Sequence, residues 1–546
     1  MSSDSARFET GVWPAPAIER IDALLATPGA WWTACVATCA ILLVPLFLVD
    51  VPPLLDYPNH LARMYVLAFG QHDPILSHMY AQHWTIIPNL AIDLVLPELV
   101  RLLPLYVGGR IMLAAALLLP LFGVIAYHRA AFRTRSYWPL AGGLTAYNAL
   151  FILGFMNFLL SLGMALLVAA AWLRWRARHP VVVALCGAAA TTAIFFMHLF
   201  GVVFLAVLLG AEELAWVWQH RSDRAALLPR LWRHGPIGLV AFLPPAALYF
   251  MAPLSDTGGR MLWLPWLGKV PELFEPFMAY DGTPDRLAGA LLFSLLLGWW
   301  RFGRLRIARG IGAAILILVA LYLVCPFFAM GTAYIDARLP VMIGLLAFAG
   351  LRPVHLAPGV RGALAAVLAL IFVARTSSLA TVWHTHNHDV SDMRQVVSAV
   401  PQGSRVLVVS VDPEDAPDYW RALPRGRDLP NYDRVDIHLP TLLLIERRAF
   451  PPCLFTVPTK QPLVLLAPYD RIGAPECQPP NWRSLVAGHR IPATRPGPDL
   501  RNWQRDYDYV LLLNAGGAGD LRRFLPDRLA LLAATDVAAL YRIERD

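Results

Sequence analysis

The sequence predicts an α-helical polytopic membrane protein of about 11 transmembrane helices followed by a C-terminal soluble α/β domain. Three observations carry this. Of 546 residues, 57% are hydrophobic and 15% charged, with a mean hydropathy of +0.51, too apolar for a soluble chain of this length. Apolar stretches approaching the roughly 17–25 residues that cross a bilayer recur along the first 380 positions. After Asp389 the composition changes, and charged and Pro-rich stretches replace the apolar runs. Collagen-like, disulfide-rich and disordered classes are excluded, because Gly 37 and Cys 6 are ordinary densities and charge is sparse. The net charge of +8 is almost entirely arginine, with Lys269 and Lys460 the only lysines, and no nucleic-acid partner is inferred from it.

Taken in order, residues 1–28 read as a cytoplasmic N-terminal segment and 29–388 as the transmembrane domain. Its expected spans are 29–49, 108–127, 138–154, 157–173, 180–197, 199–218, 236–252, 286–300, 310–329, 339–351 and 362–382. Basic residues in short loops stay on the cytoplasmic side. Alternate loops carry Arg129, Arg133 and Arg135, then Arg174, Arg176 and Arg178, then Arg301, Arg304, Arg306 and Arg309. The intervening loops are rich in acids, among them Asp50, Asp56, Asp93, Glu272, Glu275 and Asp336. This asymmetry predicts a cytoplasmic N-terminus, a first span that acts as a signal anchor, and an extracytoplasmic C-terminal domain over 389–546. Cys35, Cys39, Cys186 and Cys325 fall in or beside apolar spans; Cys453 and Cys477 lie in the outer domain, as a bridge or as two free thiols.

Within the outer domain, short apolar runs at 405–411, 463–467 and 509–514 are bounded by Pro, Gly and Asp, as buried strands are, with helical pattern at 392–400 and 520–525. Asn514-Ala-Gly-Gly-Ala-Gly519 lacks the spacing of a phosphate-binding GxGxxG and reads as a turn.

The informative segment is the long first outer loop, 50–107, which opens Val51-Pro-Pro-Leu-Leu-Asp-Tyr-Pro-Asn-His-Leu-Ala-Arg63. Its prolines fix the backbone just outside the bilayer. A helix after Pro58 puts Asn59 and Arg63 on one face, with Asp56 and His60 at its start. The plain alternative is that Asp56 only caps that helix. Arg260 and Arg338 are further outer cations, the latter two residues from Asp336; pairing between those two, or between either and the outer loops, is the plain alternative. His198 lies at the outer junction of two spans and Asn157 at the equivalent turn between two others. Glu212 and Glu213 sit near the cytoplasmic end of a span, where a proton relay or, more plainly, snorkelling to the interface beside Arg221 and Arg224 explains them. His384-Thr-His-Asn-His388 has metal-like spacing, yet no second cluster completes a zinc site, and a polar linker accounts for it. Trp263 and Trp266 suit the headgroup region, and aromatic faces also stack on sugars.

A long first outer loop bearing Asp56, an inside N-terminus and a C-terminal outer domain together resemble the GT-C superfamily of polytopic, polyprenyl-phosphate-sugar-dependent glycosyltransferases. The resemblance implies Asp56 as catalytic base; here a second acid does not stand beside it, which leaves open both a divalent metal (Mg or Mn) and activity itself. It implies a lipid-linked sugar donor in contact with membrane lipids, a glycan, lipid or protein acceptor, and location in a bacterial inner membrane. Glycosyl transfer needs a base for the acceptor hydroxyl and cations for the departing phosphate; His60, Arg63, Arg260, Arg338 and His198 are the candidates for phosphate or substrate binding, with no metal ligand assigned. The alternatives are a lipid-linked saccharide transporter or flippase, and a non-catalytic scaffold for envelope assembly.

Overall fold

The computed structural model describes residues 27–253, 260–424, 426–429, 434–491 and 497–545. All but the last two residues of the expected segment 1–28 lie outside these. Helix α1 (Pro28–Leu43) starts where Thr27 accepts the Ala30 N–H at 3.2 Å and Pro28 presets the first turn. Beyond it come α2 (Tyr57–Phe69), the short strand β1 (Tyr80–Gln82), α3 (Ala91–Leu102), α4 (Leu105–Phe132), α5 (Met156–Trp175), α6 (Pro180–Met197), α7 (Leu199–Gln219) and α8 (Arg224–Met251). Then follow α9 (Trp266–Glu272), α10 (Gly282–Arg301), β2 (Leu305–Ile307), α11 (Ile311–Val324), α12 (Arg338–Ala349), β3 (Leu351–Pro353) and α13 (Pro358–Val397).

Among the described residues, seven helical segments are long and apolar enough to cross a membrane, while α11 and α12 are shorter apolar helices. Helices α4 and α5 pack closely, where Gly123 and Gly163 let the backbones touch: a Cβ on Gly163 would lie 2.5 Å from the Leu119 carbonyl carbon.

The segment 138–154, expected as a continuous span, is instead a 3₁₀ run, Trp138–Thr145, and a four-residue α-turn, Ala149–Ile152. It lies along α1, with Ser136 O accepting from the Trp31 indole at one end and the Tyr147 hydroxyl donating to Leu42 O at the other. Pro139, Gly142, Gly143 and the Asn148 cap interrupt regular helix. Such backbone persists at membrane depth only where protein covers it, and this segment is almost wholly buried. Apolar content alone does not distinguish it from a lipid-facing helix.

Helix α13, at 40 residues, is roughly 60 Å long, about twice the hydrocarbon thickness. It runs unbroken through His384–His388 into the C-terminal domain, so the expected linker is helix.

That domain holds a four-stranded sheet in the order β4-β6-β8-β7, built from β4 (Val406–Ser410), β6 (Tyr509–Leu513), β7 (Leu529–Ala534) and β8 (Ala538–Ile543). β4 and β6 are parallel and the other pairs antiparallel. Alternation sends Val406, Val408, Leu511 and Leu513 into the core shared with the membrane domain, and Leu407, Val409, Val510 and Leu512 into a second core on the far face. The 463–467 run supplies β5 (Leu463–Leu465), which pairs not with this sheet but antiparallel with β1 of the first loop. A disulfide joins Cys453 and Cys477. The first loop and the C-terminal domain are thereby stitched together over the membrane domain.

Candidate active site

Between the membrane and C-terminal domains lies a cavity of about 1480 Å³, larger than the roughly 300–1,000 Å³ that holds a typical small ligand. Asp56, His60, Arg63, His198 and Arg338 all line it, as does Asn157. Arg260 does not: it is exposed, two residues before Leu262, which bridges to Phe328 in the cavity wall.

Asp56 is set by backbone. Leu55 N–H and Asp56 N–H donate to Ile152 O and Leu153 O at 2.9 and 3.2 Å, so the broken span fixes the Asp56 backbone at the cavity wall. Gly154, at φ +91°, presses against it; a Cβ there would lie 2.9 Å from the Asp56 Cβ. Asp56 precedes α2 but its side chain makes no capping hydrogen bond, which removes the cap as its explanation. Its Oδ1 faces His438 Nε2 at 3.4 Å.

His60 stands one turn along α2, edge-on to Phe455, with a buried Nδ1 that has no partner. Burial first, then Arg63 and His438, hold its imidazole well below the usual histidine range, so the ring is neutral. Arg63 is buried and forms a two-point pair with Asp93 of α3, at 2.6 and 3.2 Å. Its charge is therefore already balanced. Asn157 does more than shape a turn: it accepts from Ile92 N–H and donates to Asn89 O, tying α5 to the start of α3.

Arg338 is the contrasting cation. Asp336 pairs with Lys269 at 2.6 Å and not with Arg338. Arg338, 3% exposed, donates to Ala333 O and Tyr334 O and is ringed by Phe155, Phe158 and Phe200 at 5.0, 6.0 and 5.4 Å. Its Nε has no partner, and among the described residues no carboxylate reaches it within salt-bridge distance. Cation–π contacts return about 0.5–2 kcal/mol each, against a cost of several kcal/mol for a buried unpaired charge. The deficit leaves this end of the cavity electropositive. Beside it His198 caps α7, its Nδ1 accepting the Phe200 N–H at 3.1 Å, which leaves Nε2–H as a donor.

The C-terminal domain adds residues that the sequence did not mark. His438, Phe455 and Lys460 line the cavity, with Ser410 and Asp412 at the carboxyl end of β4. Lys460 is paired with Glu476. Lone residues in a soluble domain carry no local pattern that points back to a loop some 380 positions earlier.

The remaining candidates lie elsewhere. Glu212 and Glu213 are paired with arginines: Arg176 bridges both, Arg309 joins Glu212 and Arg230 joins Glu213. His384 and His388 share a helical face, their rings 5.9 Å apart. Among the described residues no three His, Cys, Asp or Glu side chains converge as metal ligands. Beside Asp56 the donor set is one carboxylate and one imidazole, with Asp93 held by Arg63, which does not fit the oxygen-rich shell of Mg or Mn.

A bundle of apolar helices, a long loop after the first helix carrying an acid into a cavity, and a C-terminal sheet domain over that cavity make up an architecture similar to one solved structure. A solved structure of ArnT from Cupriavidus metallidurans bound to undecaprenyl phosphate matches it with a TM-score of 0.50 and 10% sequence identity, over 95% of this chain and 98% of that one. No protein-family model matches the chain, and no curated protein matches its sequence.

Proposed function

We propose that this protein is a membrane glycosyltransferase that moves a sugar from a polyprenyl-phosphate donor to an acceptor on the extracytoplasmic face of a bacterial inner membrane. The observation that carries the reading is the pairing of unlike groups in one cavity: a carboxylate, Asp56, and a buried guanidinium without a counter-ion, Arg338. ArnT, which has the same fold, was solved with undecaprenyl phosphate bound. Asp56 takes the acceptor hydroxyl proton as the acceptor oxygen bonds to the anomeric carbon. The bond from that carbon to the phosphate oxygen breaks, and the phosphate leaves with the electron pair towards Arg338. The Nε2–H of His198 donates to a donor oxygen, and the neutral ring of His60 lines the donor's path. Arg63, neutralised by Asp93, holds α2 in place. The exposed Trp263 and Trp266 sit at the headgroup level. On this reading the N-terminus is cytoplasmic and the bridged Cys453 and Cys477 lie in an oxidising compartment.

The test is glycan transfer in membranes carrying Asp56→Asn or Asp56→Ala, each matched to wild type for inserted abundance. Both are expected to lose transfer, and unimpaired transfer by both sinks the assignment of the base.

A further inference from the structure

Asn59 is fully buried, and each of its contacts has a direction. Its Oδ1 accepts the Phe455 N–H at 2.9 Å, which fixes the amide orientation. Nδ2 then donates to Cys453 O at 3.0 Å and faces His438 Nδ1 at 3.2 Å. An amide NH₂ only donates, so Nδ1 of His438 is the acceptor and the ring proton sits on Nε2. Nε2 is the atom 3.4 Å from Asp56 Oδ1. Phe455 packs edge-on against both His438 and His60, at 5.0 and 5.6 Å between centroids, and holds the ring plane.

We infer that His438, supplied by the C-terminal domain, is the positioning residue for Asp56: its Nε2–H engages Oδ1 and turns Oδ2 towards the acceptor hydroxyl. This rests on the glycosyltransferase reading above. His438 neither gains nor loses a proton in the step; the acceptor proton passes to Oδ2, the glycosidic bond forms, and the donor phosphate leaves with its electron pair. The titratable groups facing His438 are Asp56 and His60 from the first loop and α2, while Arg434 and Asp436 on its own segment pair with each other. The consequence is that the catalytic carboxylate is aimed only when the C-terminal domain is docked. Asn59 contributes to that dock, joining α2 to the Cys453–Phe455 segment and to His438 at once.

Two substitutions separate positioning from packing. In His438→Gln the amide nitrogen falls near the position of Nε2 and restores the donor to Asp56. In His438→Asn the shorter side chain reaches the Asn59 contact but not Asp56. With full-length protein in detergent and a polyprenyl-phosphate-sugar donor, His438→Asn should lower kcat on the order of 100-fold, with the donor KM unchanged within about twofold. His438→Gln should retain kcat within about fivefold. Equal losses in both variants, or none in either, overturn the inference. His438→Met, which fills the volume without a donor, replaces the Asn variant if that one does not fold, and should show the same kcat loss. Asp56→Asn run in parallel keeps the failures apart. If it is inactive while His438 variants are unaffected, only the positioning role falls; if it is fully active, the base falls and the positioning role with it.

Discussion

Replacing Gly154 by Ala should disable the site while sparing the fold. Gly154 adopts φ +91°, a region in which an L-residue pays about 1–2 kcal/mol. The new Cβ would sit 2.9 Å from the Asp56 Cβ and 3.1 Å from its nitrogen. Carbon atoms in contact settle at about 3.5–4.0 Å, so one backbone must retreat by roughly 0.6–1 Å. The Gly154 side is held by the broken span and its hydrogen bonds to Leu55 and Asp56, so the retreat falls on Asp56 itself. A displacement of about 1 Å at a reacting group costs on the order of 100-fold in rate. Gly154→Ala should therefore lose about that factor in donor turnover, measured on purified protein, with abundance in the membrane close to wild type. Gly210→Ala, where a Cβ meets nothing within 4 Å, is the control and should be silent. Wild-type turnover in a well-inserted Gly154→Ala protein would refute the reasoning, because Asp56 would then tolerate a shift that a base cannot.

Asp93→Asn leaves the Arg63 guanidinium buried without its carboxylate, and should cost about 3–5 kcal/mol in thermal unfolding; the pair variant Arg63→Met with Asp93→Leu should recover most of it. Burial first, then neighbouring Glu272, pushes the Glu275 carboxyl up to about 8, and burial with Asp336 pushes Glu272 up to about 7. The folded state then holds protons that the unfolded chain releases near its ordinary carboxylate range. Stability should thus be full at acid pH and fall as pH rises towards about 8, seen as a declining unfolding midpoint, and Glu275→Gln should flatten the upper part of that decline.

Much of the fold was legible because its signals are local. Apolar length gave α1 and α4 to α8, and short bounded runs gave β4 and β6. The hairpin β7–β8 was not recognised, since Leu529–Ala534 alternates weakly between buried and exposed positions. The 138–154 segment was misread as helix because length and hydropathy do not report whether lipid or protein surrounds it. Asp56, His60 and Arg338 stood out as polar groups beside apolar spans. Their partners did not. Asp93 meets Arg63 across 30 positions and His438 meets Asn59 across 379, distances over which the sequence carries no periodicity. Of the pairings open to Asp336, Arg338 or an outer loop, the structure takes the second: Lys269 holds that carboxylate, and among the described residues no carboxylate pairs with Arg338.

The central claim is tested most directly by offering a polyprenyl-phosphate-linked sugar to purified wild type, Asp56→Asn and Arg338→Leu, and measuring binding and turnover of the lipid separately. Wild type should bind and consume the donor, Asp56→Asn should bind it without turnover, and Arg338→Leu should bind it at least 10-fold more weakly, the loss expected for one charge-assisted contact of about 1.5–3 kcal/mol. Turnover by Asp56→Asn at the wild-type rate, or undiminished donor binding by Arg338→Leu, would contradict the account.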